Sequence, residues 1–561
     1  AAAVVAALAY AINPVPRNAI ANGRLGPLVL FALAPFLVST AVRLSERVQG
    51  DQGARRRGRT VLGLAILVAL AWAWYPLAPL VLVAAAVAVV LAVPFVGDIG
   101  LGMRMLAASV VATVIAGVLL FPWSLNLLGA GDDPAAAGFT FRPRLDLADV
   151  LRFHSGPSGA GWSSWGLLAA AALALLFGRG PRFAWATRAW MLALLGWALV
   201  WLPSEFATDV SVPAPEAGLT LAALGIAVAA GLGVSTFVED VRRLGFGARQ
   251  AVAALAAAGF LVGALGFAAD AGEGRWGAPD GDWTDTLAFL DVEHDNGGFR
   301  VLWLGDPSVL PLDPVVASDG TGYVLTRNGA GDATELWRAP AHTADNLVGE
   351  AVNLASSRRT ERLGHLVAPM SVRYVALPSR LGPGAARAAP SRQLGVTLDD
   401  QIDLARLEAP PGLVLYENTA WIPDPGAVPP ADVTNVPLGS KNPNAAALRA
   451  DVGHVTPVRG PAGDTAPTGP GLVLWSEAND ADWSASASGR DLRHVEPFGW
   501  ANGFEAPARS SISIRYEGQS RRYLLITLQV AAWVLALVIL VRTRAGRRPR
   551  TRRGRTRRPN L

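Results

Sequence analysis

Tyr523 to Val541 is a run of nineteen residues without a charge, YLLITLQVAAWVLALVILV. As a helix it covers roughly 28 Å, close to the hydrocarbon thickness of a bilayer. Directly behind it stands RTRAGRRPRTRRGRTRRPNL, with ten arginines and no acid. Arginine this close to a span stays on the cytoplasmic side, and each gains about 1 kcal/mol from anionic lipid. The expected topology follows: residues 542–561 lie inside as a basic tail against anionic lipids, and the segment before Tyr523 lies outside. Nucleic-acid binding is the other use of such a tail; beside a span the membrane reading outweighs it, and no nucleic-acid partner is expected.

The rest of the chain has membrane composition. Of 561 residues 52% are hydrophobic and 17% charged, with a mean hydropathy of +0.33. Several windows of about twenty residues are filled by Ala, Val and Leu, too many for a soluble core. Lys441 is the one lysine, so the basic charge is arginine. With no cysteine, disulfides, thiolate metal sites and a cysteine nucleophile are excluded. AAAVVAALAYAINPVP lacks the basic start and cleavage site of a signal peptide and reads as the second half of a span, as if an N-terminal portion of a parent protein preceded it.

Further spans are expected near 27–42, on either side of YPLAP at 75–79 (within 60–97), and at 105–123, 162–178, 185–203, 217–236 and 250–269. Basic loops (Arg55, Arg56, Arg57 and Arg59; Arg104; Arg179 and Arg182; Arg242, Arg243 and Arg249) alternate with acidic or aromatic ones. Counted down from the C-terminal anchor, every basic loop falls inside. Residues 1–270 are therefore expected to be a polytopic region of about nine spans, the first incomplete.

Residues 270–522 change period. FRVLWLGD, VRYVALP, LVLYENTAW, GLVLWSEA and SISIRYEG are short β-type runs between Pro/Gly-rich connections. NLVGEAVNLASSRRTERLGHLVAPM (346–370) is an amphipathic helix candidate, and PAGDTAPTGPG (461–471) reads as a linker. The predicted fold class is a polytopic α-helical membrane protein with an extracytoplasmic mixed α/β plus β-sandwich domain and a C-terminal transmembrane anchor. Its parts are the α/β domain at 271–450, the sandwich-like region at 451–522, the span at 523–541 and the tail at 542–561.

Two loops concentrate chemistry. The loop at 126–161 holds Asp132, Asp133, Arg142, Arg144, Asp146, Asp149, Arg152 and His154, followed by SGPSGAG. Arginine clamps phosphate with paired hydrogen bonds, and a carboxylate can serve as base for an acceptor hydroxyl. DVLRFH can form a short helix along the interface, so Asp149 and His154 are the expected catalytic residues. Arg152 and Arg142 are expected to bind substrate phosphate. The plainer reading is a solvated interfacial loop. In NPVPRNAIANGR, Arg17 and Arg24 could meet an anionic head group, or simply snorkel from a capping turn.

The six histidines are scattered without HExxH or paired spacing, so no metal is expected. No GxxxxGK[ST] and no GxSxG motif occurs, and no cofactor is expected. Trp303, Trp337, Trp421, Trp483 and Trp500 could stack on sugar rings, or pack as core.

NPVPRNAIANGRLG, LRFHSGPSGAGWSSWGLL, FRVLWLGDPSVLPL, RTERLGHLVAPMSVRYVALP and LVLYENTAWIP resemble the membrane half of large actinobacterial glycosyltransferase family 2 proteins. In those, a cytoplasmic sugar-transferase domain precedes a polytopic region, an outside domain and a C-terminal anchor. DWSASASGR and FEAPARSSISIRYEG (Trp483, Gly489, Phe504, Tyr516) are similar to the exodomain end of bacterial membrane proteins that glycosylate lipoteichoic acid, which have a GT-C-type core. The cytoplasmic transferase domain has no counterpart in this sequence, nor has the first outside loop where GT-C enzymes keep an acid, so no catalytic residue is carried over.

The resemblance implies a membrane glycosyltransferase of cell-envelope glycan assembly. Its partners would be a lipid-linked (polyprenyl-phosphate) sugar donor and an envelope glycan or lipid acceptor. The alternative is a non-catalytic membrane scaffold or export unit for a lipid-linked glycan. A signalling receptor is a weak third, because the tail carries no effector domain.

Overall fold

The computed structural model describes residues 1–46, 51–128, 139–140, 145–206, 212–240, 248–276, 278–293, 297–312, 314–317, 320–332, 335, 343–383, 392–450, 455–458, 471–507 and 511–545. The expected linker at 461–470 and the tail beyond 545 lie outside them, as do Asp132, Asp133, Arg142, Arg144 and Trp337.

The first half is helical: α1 Ala2–Ala11, α2 Pro14–Ala21, α3 Leu25–Ser45, α4 Asp51–Trp74, α5 Ala78–Leu91, α6 Val93–Val96, α7 Ile99–Leu119 and α8 Trp123–Leu128. Strand β1 (Phe139–Thr140) precedes α9 (Leu147–Leu151), α10 (Gly166–Phe177) and α11 (Pro181–Phe206). Strand β2 (Val212–Pro213), which pairs antiparallel with β1, leads into α12 (Pro215–Asp240) and α13 (Ala248–Glu273).

Among the described residues, six helices are long and apolar enough to cross a membrane: Leu25–Ser45, Arg57–Trp74, Ile99–Leu119, Pro181–Phe206, Pro215–Thr236 and Gln519–Arg542. Ala78–Leu91 and Trp162–Phe177 are apolar but shorter. Pro76 ends α4 and Pro79 sits in the first turn of α5, which makes the tight turn at 75–77. Val110, Val114 and Val118 on α7, and Leu524, Leu535 and Val541 near the C-terminus, stand exposed. Apolar faces this continuous suit lipid rather than water. The chain is a membrane protein that carries a β-rich domain.

Helix α12 is the central pillar, packed by α1, α10, α11 and α3. Small residues allow it: a Cβ on Gly196 of α11 would stand 2.6 Å from both the Ala222 nitrogen and the Gly218 carbonyl of α12. Close helix approach of this kind substitutes for the hydrophobic effect, which lipid does not supply.

After α14 (Phe289–Glu293) come β3 (Arg300–Gly305), β4 (Val315–Val316), β5 (Gly322–Arg327), α15 (Thr343–Ser356), α16 (Leu363–Val367), β6 (Val372–Pro378), α17 (Arg392–Asp399), β7 (Leu404–Leu407) and β8 (Leu413–Asn418). Their six-stranded sheet has the order β4-β5-β3-β6-β8-β7, with β3 and β6 parallel. The single helix expected over 346–370 is broken. Helix α15 stops after Ser356, Ser357 Oγ turns back to the Asn353 carbonyl (2.6 Å), and Arg358 takes a left-handed φ of 56°. Ser side chains compete for backbone groups in this way and end helices.

The remaining strands are β9 (Gly426–Val428), β10 (Thr456–Pro457), β11 (Gly471–Ala478), β12 (Trp483–Ala487), β13 (Arg490–Asp491), β14 (His494–Val495), β15 (Ala501–Ala506) and β16 (Ile512–Tyr516), with α18 (Pro443–Arg449) between β9 and β10. Strands β10-β9-β11-β15-β14 form one sheet and β13-β12-β16 another. They meet through Val473, Phe504, Ala485, Ile512 and Ile514. Strand β9 precedes Asp451, and one core runs from Leu302 and Val375 through Ala351 and Leu366 to Leu472 and Trp500. The two outer parts expected on either side of Asp451 thus share one hydrophobic core.

Strand β16 passes almost directly into α19 (Gln519–Ala545). Within that helix, Gln529 and Trp533 donate to the Leu119 carbonyl at the end of α7, at 3.2 and 2.9 Å.

Candidate functional site

Helix α12 leaves the face that α13 returns to, so the first turn of α12 and the last turn of α13 lie together. Helix α2 meets them there. Asn13 caps α2, its side chain accepting from the Val15 amide at 3.0 Å, and Pro14 stands in the first turn. Helix α9 and residues 152–161 close the face. The two loops that carry the sequence candidates are therefore one junction.

Asn18 of α2 joins them. It is 0% exposed. Its side-chain amide donates to the carbonyls of Phe153 and Ser158 (both 3.0 Å), and its carbonyl oxygen accepts from the Ser158 amide (2.8 Å). Asn22 adds a bond to the Ser155 carbonyl at 3.2 Å.

Two acid clamps lie beneath. Glu216 Oε1 accepts from Arg24 at 2.5 Å and from the Ser155 hydroxyl at 2.9 Å. Asp270 Oδ2 accepts from Arg17 and, at 2.9 Å, from the Ser158 hydroxyl. Each serine of SGPS thus shares a carboxylate with an arginine. Arg17, only 4% exposed, also donates to the Ile12 carbonyl at 3.2 Å. In such apolar surroundings an unpaired guanidinium costs more than an ion pair. Arg17 is thus held inside the junction by Asp270, whereas Arg24, paired with Glu216, keeps a side chain 17% exposed.

Asp149, Arg152 and His154 are presented. Their side chains are 27%, 22% and 28% exposed. Helix α9 ends at Arg152, and Phe153 takes a left-handed φ of 62° that turns His154 back onto Asp149. Asp149 Oδ1 accepts from Arg152 Nη2 at 2.5 Å and lies 3.1 Å from His154 Nδ1. Burial pushes the Asp149 carboxyl up, but the hydrogen bonds and charges of His154 and Arg152 outweigh it and hold the group below the usual carboxylate range. Arg152 is fixed further by the Ala160 carbonyl (2.8 Å) and its own helix at Ala148 (3.1 Å). Among the described residues, three of its five N–H groups are engaged in this way.

Glu216 and Asp270 were not singled out from the sequence as site residues. The available signal was an acid at the end of an apolar helix, opposite an arginine-bearing loop. Among the described residues no three His, Asp or Glu side chains converge as metal ligands. Of the tryptophans, Trp303 and Trp500 are core, and Trp483 packs between Trp475 and Tyr516. Trp421 is covered by Arg373 at 4.7 Å. Arg373 is the extra residue of a bulge between β3 and β6, which turns it toward that ring.

No family model matches the chain, and no curated protein matches it. Two solved structures of arabinofuranosyltransferase AftD from mycobacteria match. One is 18% identical with a TM-score of 0.42, over 79% of this chain and 33% of that one. The other, a mutant form, is 14% identical with a TM-score of 0.40, over 92% of this chain and 51% of that one. The chain spans about a third to a half of the length of those structures. Likeness at this level decides neither fold nor chemistry.

Proposed function

We propose that the chain is a membrane glycosyltransferase, or the membrane module of one, in cell-envelope polysaccharide or glycolipid assembly. It would use a polyprenyl-phosphate-linked sugar at the outer face. The observation that carries this reading is the partly exposed Asp149–His154–Arg152 cluster, set on a pinned junction at the end of the helices. The runs that resemble envelope glycosyltransferases support it, since LRFHSGPSGAGWSSWGLL contains Arg152, His154 and both clamp serines. The outer side is assigned to this face because Arg43, Arg57 and Arg104 lie at the other ends of their helices.

In the proposed step the acceptor hydroxyl loses its proton to His154 Nε2. Asp149 holds the Nδ1–H tautomer and balances the imidazolium that forms. The acceptor oxygen bonds the anomeric carbon as the bond from that carbon to the phosphate oxygen breaks, and the electron pair leaves on the lipid phosphate. The Arg152 guanidinium meets that developing charge. Asp149, held low, is a weak base by itself and a good orienting group.

The test is D149N, H154Q and R152A in the producing cell, with the envelope glycans and lipid-linked intermediates analysed. Loss of one glycan linkage, with its lipid-linked donor accumulating, is expected. Unchanged glycans in all three variants would remove the cluster from the chemistry and leave a non-catalytic export unit.

A further inference from the structure

A second site stands far from this junction in the sequence. Helices α15 and α17 flank a cleft of about 600 Å³, within the size range of small-molecule sites. One stripe of α15 (Val348, Ala351, Val352, Ala355) packs into the core. The neighbouring stripe, Glu350, Asn353 and Leu354, at i, i+3 and i+4, faces the cleft together with Ser357 just past the helix end. Gln393 and Thr397, one turn apart on α17, face it from the other wall. Leu354 and Leu394 make the apolar contact between the two helices, and the hydrogen-bonding side chains line the cleft around it.

The lining is held in place. Glu350 Oε2 accepts from Asn444 of α18 at 2.8 Å, which fixes its carboxylate at the cleft wall. Thr397 donates to the Gln393 carbonyl at 3.0 Å, leaving its oxygen lone pairs to accept. A carboxylate, amides and hydroxyls together offer donors and acceptors at close spacing, as vicinal hydroxyls require. Glu350 and Arg359 are the charged members and cancel. A phosphate or nucleotide would find no net positive field there; an uncharged polyol meets no penalty.

We propose that this cleft binds a neutral saccharide, a short stretch of glycan held away from the membrane junction. The site does not depend on the chemistry assigned to Asp149.

The full chain in lipid nanodiscs is titrated by calorimetry with short neutral pentose and hexose oligosaccharides, with polyphosphate as the charged control. At least one neutral saccharide is expected to bind, and polyphosphate is not. E350Q and Q393A should each weaken that binding about tenfold, as the loss of one good hydrogen bond implies. Both positions are exposed, so thermal unfolding should stay at the wild-type value, and D149N should bind normally. Failure of every neutral saccharide to bind, stronger binding of polyphosphate, or unchanged binding in both cleft variants overturns the proposal.

Discussion

The side-chain amide of Asn18 donates to the backbone carbonyl of Phe153 at 3.0 Å, across 135 residues of sequence. Phe153 sits in a left-handed conformation that a non-glycine residue adopts only when its surroundings enforce it. Asn18 is that enforcement. N18A removes three buried hydrogen bonds and is expected to cost about 3 kcal/mol, because the freed backbone groups stay buried. Thermal unfolding in nanodiscs reads the loss, and limited proteolysis should cut within 155–161. A variant as protected as wild type would mean that α9 and its loop hold without α2.

The Arg24–Glu216 pair should behave as a coupled unit. Glu216 is fully buried, and Arg24 is its cationic partner. R24M alone leaves an uncompensated buried carboxylate and is expected to cost about 3–5 kcal/mol. R24M/E216Q should recover much of that, so the two costs will not add. Additive losses in a double-mutant cycle would show that the pair is no clamp.

Much of this architecture is legible from residue patterns. The runs FRVLWLGD, VRYVALP, LVLYENTAW, GLVLWSEA and SISIRYEG coincide with β3, β6, β8, β11 and β16. Their branched and aromatic residues leave little else to form. The long apolar helices are as plain, because hydropathy is a property of a window. The meeting of the α2 and α9 loops is not, since Asn18 and Ser158 find each other only once α12 and α13 have packed. Glu216 and Asp270 look like loop charges until Arg24 and Arg17 are placed against them. The bulge at Arg373 and the pairing of β9 with β11 depend on partners distant in sequence, and local periodicity says nothing of them.

Acid should loosen the junction through Asp149. Its folded pKa is depressed below the usual value of about 3.9. A depressed carboxylate contributes stability that is complete above the unfolded value and is lost as pH falls through the folded one. Protection of residues 145–161 from proteolysis should therefore hold above about pH 5 and decline below about pH 4. D149N should remove that part of the decline. An identical acid limb in wild type and D149N would show that other carboxylates govern it.

The side of the membrane that the β-rich domain occupies can be decided because the chain has no cysteine. A single cysteine introduced anywhere then reports its own accessibility. Ile402, 72% exposed on the β-rich domain, and Gly58, with open space around it between Arg57 and Arg59, are suitable positions. If arginine-bearing ends stay in the cytosol, I402C reacts with a membrane-impermeant maleimide on intact spheroplasts and G58C reacts only after permeabilisation. The reverse pattern would put Asp149 and His154 on the cytosolic face, because the junction and the β-rich domain both adjoin the last turn of α13. Transfer from a polyprenyl-phosphate donor at the outer leaflet would then be impossible for this site.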